Sequence, residues 1–425
     1  MKRKIHLFVL FLFLYGFTLA QQPQLLSLDS CRALALKHNP LAQQAALYTS
    51  MQQIKDEATG HGYYPQVVLN GQATWQSDVT SLPIQIPNVD IPSLSQDNYR
   101  LSLDINQLLW DGGAIRSQQQ LDVSLLEINL TEVETANLRM IELVDQTYFS
   151  ILIFTEQEKL IQLAMDEIQS RLAKVRAGID NGVVLFSNAD VLDAELIGME
   201  QNLMELRNGK MIAIYKLGAL TGVQMGTGVI FELPVITDLP EFQAWVRPEF
   251  KLFSLQQKRL DDQIQMTGLK LMPRFSAFSN LGYGRPGLNM LSNSFEPFAM
   301  IGVRMNWNFW DWNITQRNKE VLGIQKQITD TQRQNWELNQ DVMLNTIKQE
   351  ILKIKNQLAA DYRIVSLRQS VADATAAQLD SGIITASDFL TEQNALTKAR
   401  LNQGINKILL QRAKLNYLTV IGFTN

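Results

Sequence analysis

The sequence says the same thing twice, 200 residues apart. Leu101–Asp111 (LSLDINQLLWD) is answered by Ile301–Asp311 (IGVRMNWNFWD), and Asn181-Gly182-Val183-Val184 by Ser381-Gly382-Ile383-Ile384. Ala213 and Gly222 are answered by Ala413 and Gly422. One offset holds for every anchor, so each half carries the same kinds of element in the same order. Repetition at a fixed offset is the signature of a duplicated architecture. A duplicated unit that mixes long helices with alternating strands points to a wall-building protein rather than a catalyst.

Proline and glycine map the helices. No proline lies between Pro92 and Pro234 or after Pro297, and no glycine between Gly113 and Gly178 or between Gly323 and Gly382. Stretches free of both breakers read as very long helices. A helix from about residue 114 to 177 would rise about 95 Å at 1.5 Å per residue. Ile347, Ile351, Ile354, Leu358, Tyr362 and Val365 recur at three and four, with polar residues between them. The stripe is narrow, which predicts coiled-coil packing and a wet outer face. Gly182 and Gly382 are expected to cap the long helices in the left-handed conformation. Ser187–Asp190 and Thr385–Asp388 read as capping boxes that start a second helix in each half. Each half thus holds a long helical hairpin, with its tip near residues 178–190 or 378–388.

Other segments alternate with period two. Val67–Trp75, Tyr99–Leu109, Phe275–Tyr283 and Ala299–Phe309 carry mostly apolar residues at odd positions and mostly polar ones at even positions. Runs of about 9–13 residues suit tilted membrane strands. Trp75, Trp110, Trp307, Trp310 and Trp312 lie in or just after them, where aromatics suit a membrane-interface girdle. A half-exposed soluble sheet would show the same alternation. The strands read as two hairpins. One has a long loop, Ser77 to Asn98, with Pro83, Pro87 and Pro92; the other turns between Gly284 and Pro297, with Gly282-Tyr283-Gly284 as a bend. Four strands cannot close a transmembrane barrel, whose smallest members use eight. Open edges are not tolerated in lipid, because unpaired backbone groups there cost several kcal/mol each. A membrane sheet of this kind must therefore oligomerise, and strand number alone leaves two, three or four copies open.

Composition narrows the partners. Lys2, Arg3 and Lys4, the apolar run Leu7–Phe17 and the small-residue site Thr18-Leu19-Ala20 read as a signal peptide over residues 1–20. Its removal takes the formal charge from −4 to −7, a balance that argues against nucleic acid as a partner. Cys31 stands alone, so it forms no intrachain disulfide and reads as a small half-buried helix residue. The three histidines have no cysteine or histidine cluster around them, and neither a metal nor a cofactor is expected. No nucleophile–base pair or phosphate-binding glycine loop stands out, so an enzyme is not expected. Asp261-Asp262 reads as a solvated helix face.

With both halves read, the chain resembles the TolC-like outer-membrane efflux proteins over nearly all of its mature length. The resemblance rests on the order helix, strand hairpin, long helical hairpin, repeated twice. It also rests on Leu108-Leu-Trp-Asp-Gly-Gly113, on Gly182-Val-Val with Asp190-Val-Leu-Asp193-Ala-Glu195, and on Gly382-Ile-Ile-Thr-Ala-Ser-Asp388-Phe-Leu. It implies a mainly α fold with membrane β in two structural repeats. The signal peptide would occupy 1–20. The first repeat would run over 21–222, with strands at about 65–110 and a helical hairpin at about 112–222. An equatorial linker would span 223–248. The second repeat would run over 249–425, with strands at about 273–310 and helices at about 312–421.

The resemblance further implies a homotrimer. Three chains would form one twelve-stranded barrel in the outer-membrane lipid of a Gram-negative bacterium and a twelve-helix tunnel in the periplasm. Its implied partners are a periplasmic adaptor and an inner-membrane pump of the RND or ABC type, with solutes leaving passively in tripartite efflux or type I secretion. In such proteins the hairpin tips close an iris lined by aspartates. By position Asp388 matches the principal aperture aspartate, Asp190 is its counterpart in the first half, and Asp193 follows one turn later. Where relatives can carry a second Asp and a locking Arg, this chain has Thr391 and Ile384. The aspartates also suit a plain role at the positive end of a helix dipole. A periplasmic coiled-coil scaffold with a soluble sheet is the competing reading from another class.

Overall fold

In the computed structural model, which describes residues 25–79, 95–226 and 228–423, the element order repeats except that two helices precede the strands in the first half and one in the second. The first half runs β1 (Leu25–Leu26), α1 (Leu28–His38), α2 (Gln44–Gly60), β2 (Gln66–Trp75), β3 (Asp97–Trp110), α3 (Ala114–Asp180) and α4 (Phe186–Thr221). The second runs β4 (Ile230–Phe231), α5 (Pro248–Gly268), β5 (Arg274–Arg285), β6 (Glu296–Asn306), α6 (Ile314–Asp380) and α7 (Ala386–Ile421). Helices α3 and α6 have 67 residues each, and α4 and α7 have 36 each. The expected signal peptide and the three prolines of the first strand loop lie outside the described residues. Among those described, no helix is long and apolar enough to cross a membrane.

Two compact units form, and each draws on both repeats. One takes the residues up to Gln43, Glu134–Arg247 and the residues from Glu337 onward; the other takes Gln44–Val133 and Pro248–Trp336.

The second unit holds an antiparallel sheet in the order β2-β3-β5-β6. Its register puts Leu69, Leu103, Leu281 and Ala299 in one row, and the adjacent row carries Asn70, Ser102, Gly282 and Phe298. One face is therefore apolar and the other mostly polar, since side chains alternate along each strand. The apolar face is uncovered: Ile301 is 83% exposed and Val303 67%. β2 and β6 form the two edges.

Three local readings change here. Gly282 and Gly284 lie inside β5 rather than at a bend, because the Phe298 ring packs across Gly282 and leaves no room for a Cβ. β6 stops at Asn306 rather than Phe309; Trp307 instead donates its indole N–H to the Leu271 carbonyl at 3.0 Å. Asp262 is buried rather than solvated: it accepts from the Ser124 hydroxyl at 2.5 Å and the Gln120 amide at 3.3 Å. Its neighbour Asp261 pairs with Lys326 at 2.7 Å.

Each sheet hairpin feeds its long helix through an aspartate. Asp111 accepts from the Gly113 and Ile115 amides at 2.8 and 2.6 Å, and Asp311 accepts from the Thr315 amide at 2.8 Å. Gly112 and Gly113 make the first turn at φ +73° and +88°. In the second repeat Trp312 and Asn313 take the same turn at φ +55° and +64°, a conformation uncommon for a bulky side chain.

In the first unit α1 packs on α3 and α4 through Leu28, Cys31, Ala35, Val144, Phe149 and Leu217. β1 pairs in parallel with β4, and the Tyr148 hydroxyl sits 2.8 Å from the Leu26 carbonyl and 2.7 Å from that of Glu232. Arg32 grips Asp145 with two 2.7 Å hydrogen bonds in the same interior. Cys31 is fully buried rather than half-buried, and burial, with the Asp145 charge adding to it, pushes its thiol up to about 12. The segment after β4 lies on α7. There the Ile236 amide donates to Gln411 at 2.9 Å and the Tyr417 hydroxyl donates to the Pro240 carbonyl at 2.7 Å.

Candidate functional site: the hairpin tips and the strand sheet

Both tips are built by the same backbone device. At Gly182 (φ +73°) the amides of Gly182 and Val183 return to the carbonyls of Ile179 and Gly178 at 2.8 and 3.0 Å. At Gly382 (φ +71°) the amides of Gly382 and Ile383 return to Leu379 and Gln378 at 3.0 and 2.9 Å. This paired 5→2 and 6→1 pattern satisfies carbonyls that the helix end leaves over. A β-carbon would strain the left-handed residue, which is why glycine stands at both.

The helices that return from the tips start differently. Thr385 and Asp388 form a reciprocal capping box: Thr385 Oγ1 accepts from the Asp388 amide at 3.2 Å, and Asp388 accepts from the Thr385 amide at 3.1 Å. In the first repeat the N-cap is Leu185, which has no side-chain hydrogen bond to offer, so the expected Ser187–Asp190 box does not form. The helix starts two residues earlier than that box requires, and the 200-residue offset then makes Asn188 the positional partner of Asp388. Asn188 caps the other helix instead: its Oδ1 accepts from the Ala386 amide at 2.9 Å.

The three aspartates singled out from the sequence have three different settings. Asp388 is exposed, and the Thr385 hydroxyl followed by the Thr385 amide holds its carboxyl below the usual value. Asp193 forms a two-pronged ion pair with Arg176 at 2.7 and 2.9 Å. Asp190 is exposed with no hydrogen bond or ion pair among the described residues.

One apolar cluster joins the tips. Leu172, Val175, Ala189, Leu192, Leu379 and Phe389 are buried together, with Val184 and Ile384 packed against them. Ile384 therefore adds apolar contact where a cation would add charge. Thr391 donates its hydroxyl to the Ser387 carbonyl at 3.0 Å.

Charged links across the tips carry no signature in the sequence. Asp380 takes hydrogen bonds from Arg171 and from Lys174, the latter at 2.8 Å. Burial works against its charge, but these two cations outweigh burial and hold the carboxyl below the usual range. Glu167 is shared by Gln393 and Arg400, and the Asn394 amide donates to Glu195 at 3.0 Å. These partners lie about 200 residues apart in sequence, beyond the reach of any spacing rule. Among the described residues no group of His, Cys, Asp and Glu is placed to hold a metal ion.

The aromatic residues fall at the two ends of the sheet. Trp75 closes β2 opposite Asp97, at the end where the strand loops lie. Trp110 stands opposite Phe275 at the other end, where Trp307, Trp310 and Trp312 follow β6. Trp310 and Trp312 meet edge to face at 5.7 Å, and Trp312 is 81% exposed.

Residues 32–223 match the sequence profile of the family described as outer membrane efflux protein. The fold of the chain is TolC-like. The fold agrees over both repeats. VceC from Vibrio cholerae superposes with a TM-score of 0.70 at 15% identity, covering 93% of this chain and 97% of VceC. The CmeC channel of Campylobacter jejuni gives 0.68 at 15% identity, covering 93% and 85%. The open state of the MtrE channel of Neisseria gonorrhoeae gives 0.64 at 14% identity, covering 91% and 88%. No curated protein sequence matches the chain.

Proposed function

We propose that three copies of this chain form a passive exit duct. The sheet carries the argument: it has four strands, two open edges and an uncovered apolar face. A sheet placed in lipid must pair its edges, and three copies supply twelve strands. The apolar face then meets outer-membrane lipid, and Trp75 at one end with Trp110, Trp307, Trp310 and Trp312 at the other form its two interface girdles. The helical hairpins supply the periplasmic part. A periplasmic adaptor and an inner-membrane pump of the RND or ABC type deliver cargo, in tripartite efflux or type I secretion.

In this reading the tips held by Gly182 and Gly382 form the aperture, lined by Asp388, Asp190 and Asp193. A ring of like charge favours the counter-ion. The Arg176 partner offsets the charge of Asp193, so Asp388 and Asp190 dominate the ring. Planar-bilayer recordings test this assignment. Asp388→Asn should lower cation selectivity and weaken block by trivalent cations. Unchanged selectivity and block would make Asp388 a helix cap alone.

A further inference from the structure

Two arginines stand on the polar face of the sheet, each laid on a phenylalanine ring. The Arg100 guanidinium lies 4.9 Å from the centre of the Phe298 ring, and that of Arg304 lies 4.8 Å from the centre of Phe278. Each ring covers a glycine on the neighbouring strand: Phe298 is opposite Gly282, and Phe278 is opposite Gly302. A Cβ at either glycine would meet the ring at 2.3 or 2.8 Å, so the rings lie flat on bare backbone. The stack of glycine, ring and guanidinium is built twice.

The two stacks stand at different heights. Arg100 is opposite Gly284 of β5, and Arg304 is opposite Ser276. Eight strand positions separate them, about 26 Å along the strand. Midway, Asp104 is held by the side-chain amides of Asn70 and Asn280. Arg100, Asp104 and Phe298 line a hollow of about 430 Å³ on this face. Among the described residues neither arginine forms an ion pair; each is laid on its ring, and Arg100 also feels the charge of Asp104.

A guanidinium stacked on an aromatic face is fixed in plane, with its other face and its N–H fork left to solvent. That fork matches carboxylate, phosphate and sulfonate groups. In a trimer the polar face would carry nine arginines (Arg100, Arg274 and Arg304) against six carboxylates (Asp104 and Glu296), and arginine-lined pores favour anions.

We propose that Arg100 and Arg304 are anion-binding stations on the barrel wall, and that the ligands they take are organic anions carrying an aromatic ring. The proposal rests on the duct reading. The N–H fork takes the anionic group, and the flat guanidinium takes the ring of the same solute. Passage then runs from one station to the next, with Asp104 between them limiting how tightly an anion is held.

The test uses the full-length protein in detergent and pyrene-1,3,6,8-tetrasulfonate as probe, read by fluorescence anisotropy. Saturable binding is expected. It should weaken about tenfold or more when R100Q and R304Q are combined, since both charge-assisted forks are lost. Combining R100K and R304K, which keeps the charge but not the flat fork, should weaken it by roughly threefold. In planar bilayers the probe should block the parent from the loop side and leave the Gln variant open. Parent-like binding in a Gln variant of unchanged oligomeric mass would overturn the proposal. Parent-like binding in the Lys variant would overturn the stacked geometry, even if the Gln variant fails to assemble. Arg-dependent binding with no conductance would sink the duct and leave the stations standing. Conductance with Arg-independent binding would do the reverse.

Discussion

Asn188 and Asp388 occupy the same helical position in the two repeats, and each satisfies an amide at a helix start. Asp388 closes its own helix, whereas Asn188 reaches across to the Ala386 amide. Asn188→Ala should therefore loosen the start of α7 and not only its own helix. Loss of one capping acceptor costs about 1 kcal/mol, so hydrogen exchange of the Ala386 amide should speed up about fivefold. Unchanged exchange would show that water replaces Asn188 without loss. Asp388 carries a pH dependence of known sign. Its folded-state carboxyl sits below the ordinary 3.8, so its contribution is full above the unfolded value and disappears as pH falls through the lower folded one. NMR titration of that carboxyl should give a midpoint below 3.8, and a midpoint above it would mean that neighbouring carboxylates in the assembled ring outweigh the cap. Gly182 and Gly382 were legible because few residues besides glycine suit a left-handed helix end. The capping-box spacing pairs Asp190 with Asp388, whereas the offset of 200 pairs Asn188 with it.

The strands and long helices were legible because each imposes a period on the sequence: two for the half-apolar strands, three and four for the helices. Their ends were less so. β6 stops at Asn306 because the Trp307 indole finds a backbone partner outside the sheet, a contact with no periodic signature. Gly282 and Gly284 looked like a bend because the covering Phe298 belongs to another strand. The burial of Asp262 and the ties of Asp380 to Arg171 and Lys174 were hidden for the same reason. The face assignment of the strands gives a direct prediction. Leu103→Arg or Val303→Arg places a charge on the lipid side, at about 2–4 kcal/mol near the midplane, and should reduce the protein recovered from outer-membrane fractions. Asn106→Arg, on the other face, should leave recovery close to that of the parent. Equal recovery of all three variants would mean that the apolar face does not meet lipid.

At the scale of the whole molecule, the duplication was legible and the compact units were not. Each unit takes pieces of both repeats, because the helices of one repeat bury their apolar stripes against those of the other, as Leu192 and Phe389 do at the tips. The sheet likewise joins the two hairpins through β3 and β5, yet it ends in two open edges. A single chain therefore leaves a row of unpaired backbone groups on β2 and another on β6, which lipid does not accept. The mass of the detergent-extracted protein, measured by native mass spectrometry alongside its strand content by circular dichroism, tests this most directly. Three chains per particle with intact strand content is the predicted result. A monomer that keeps its full strand content would contradict it.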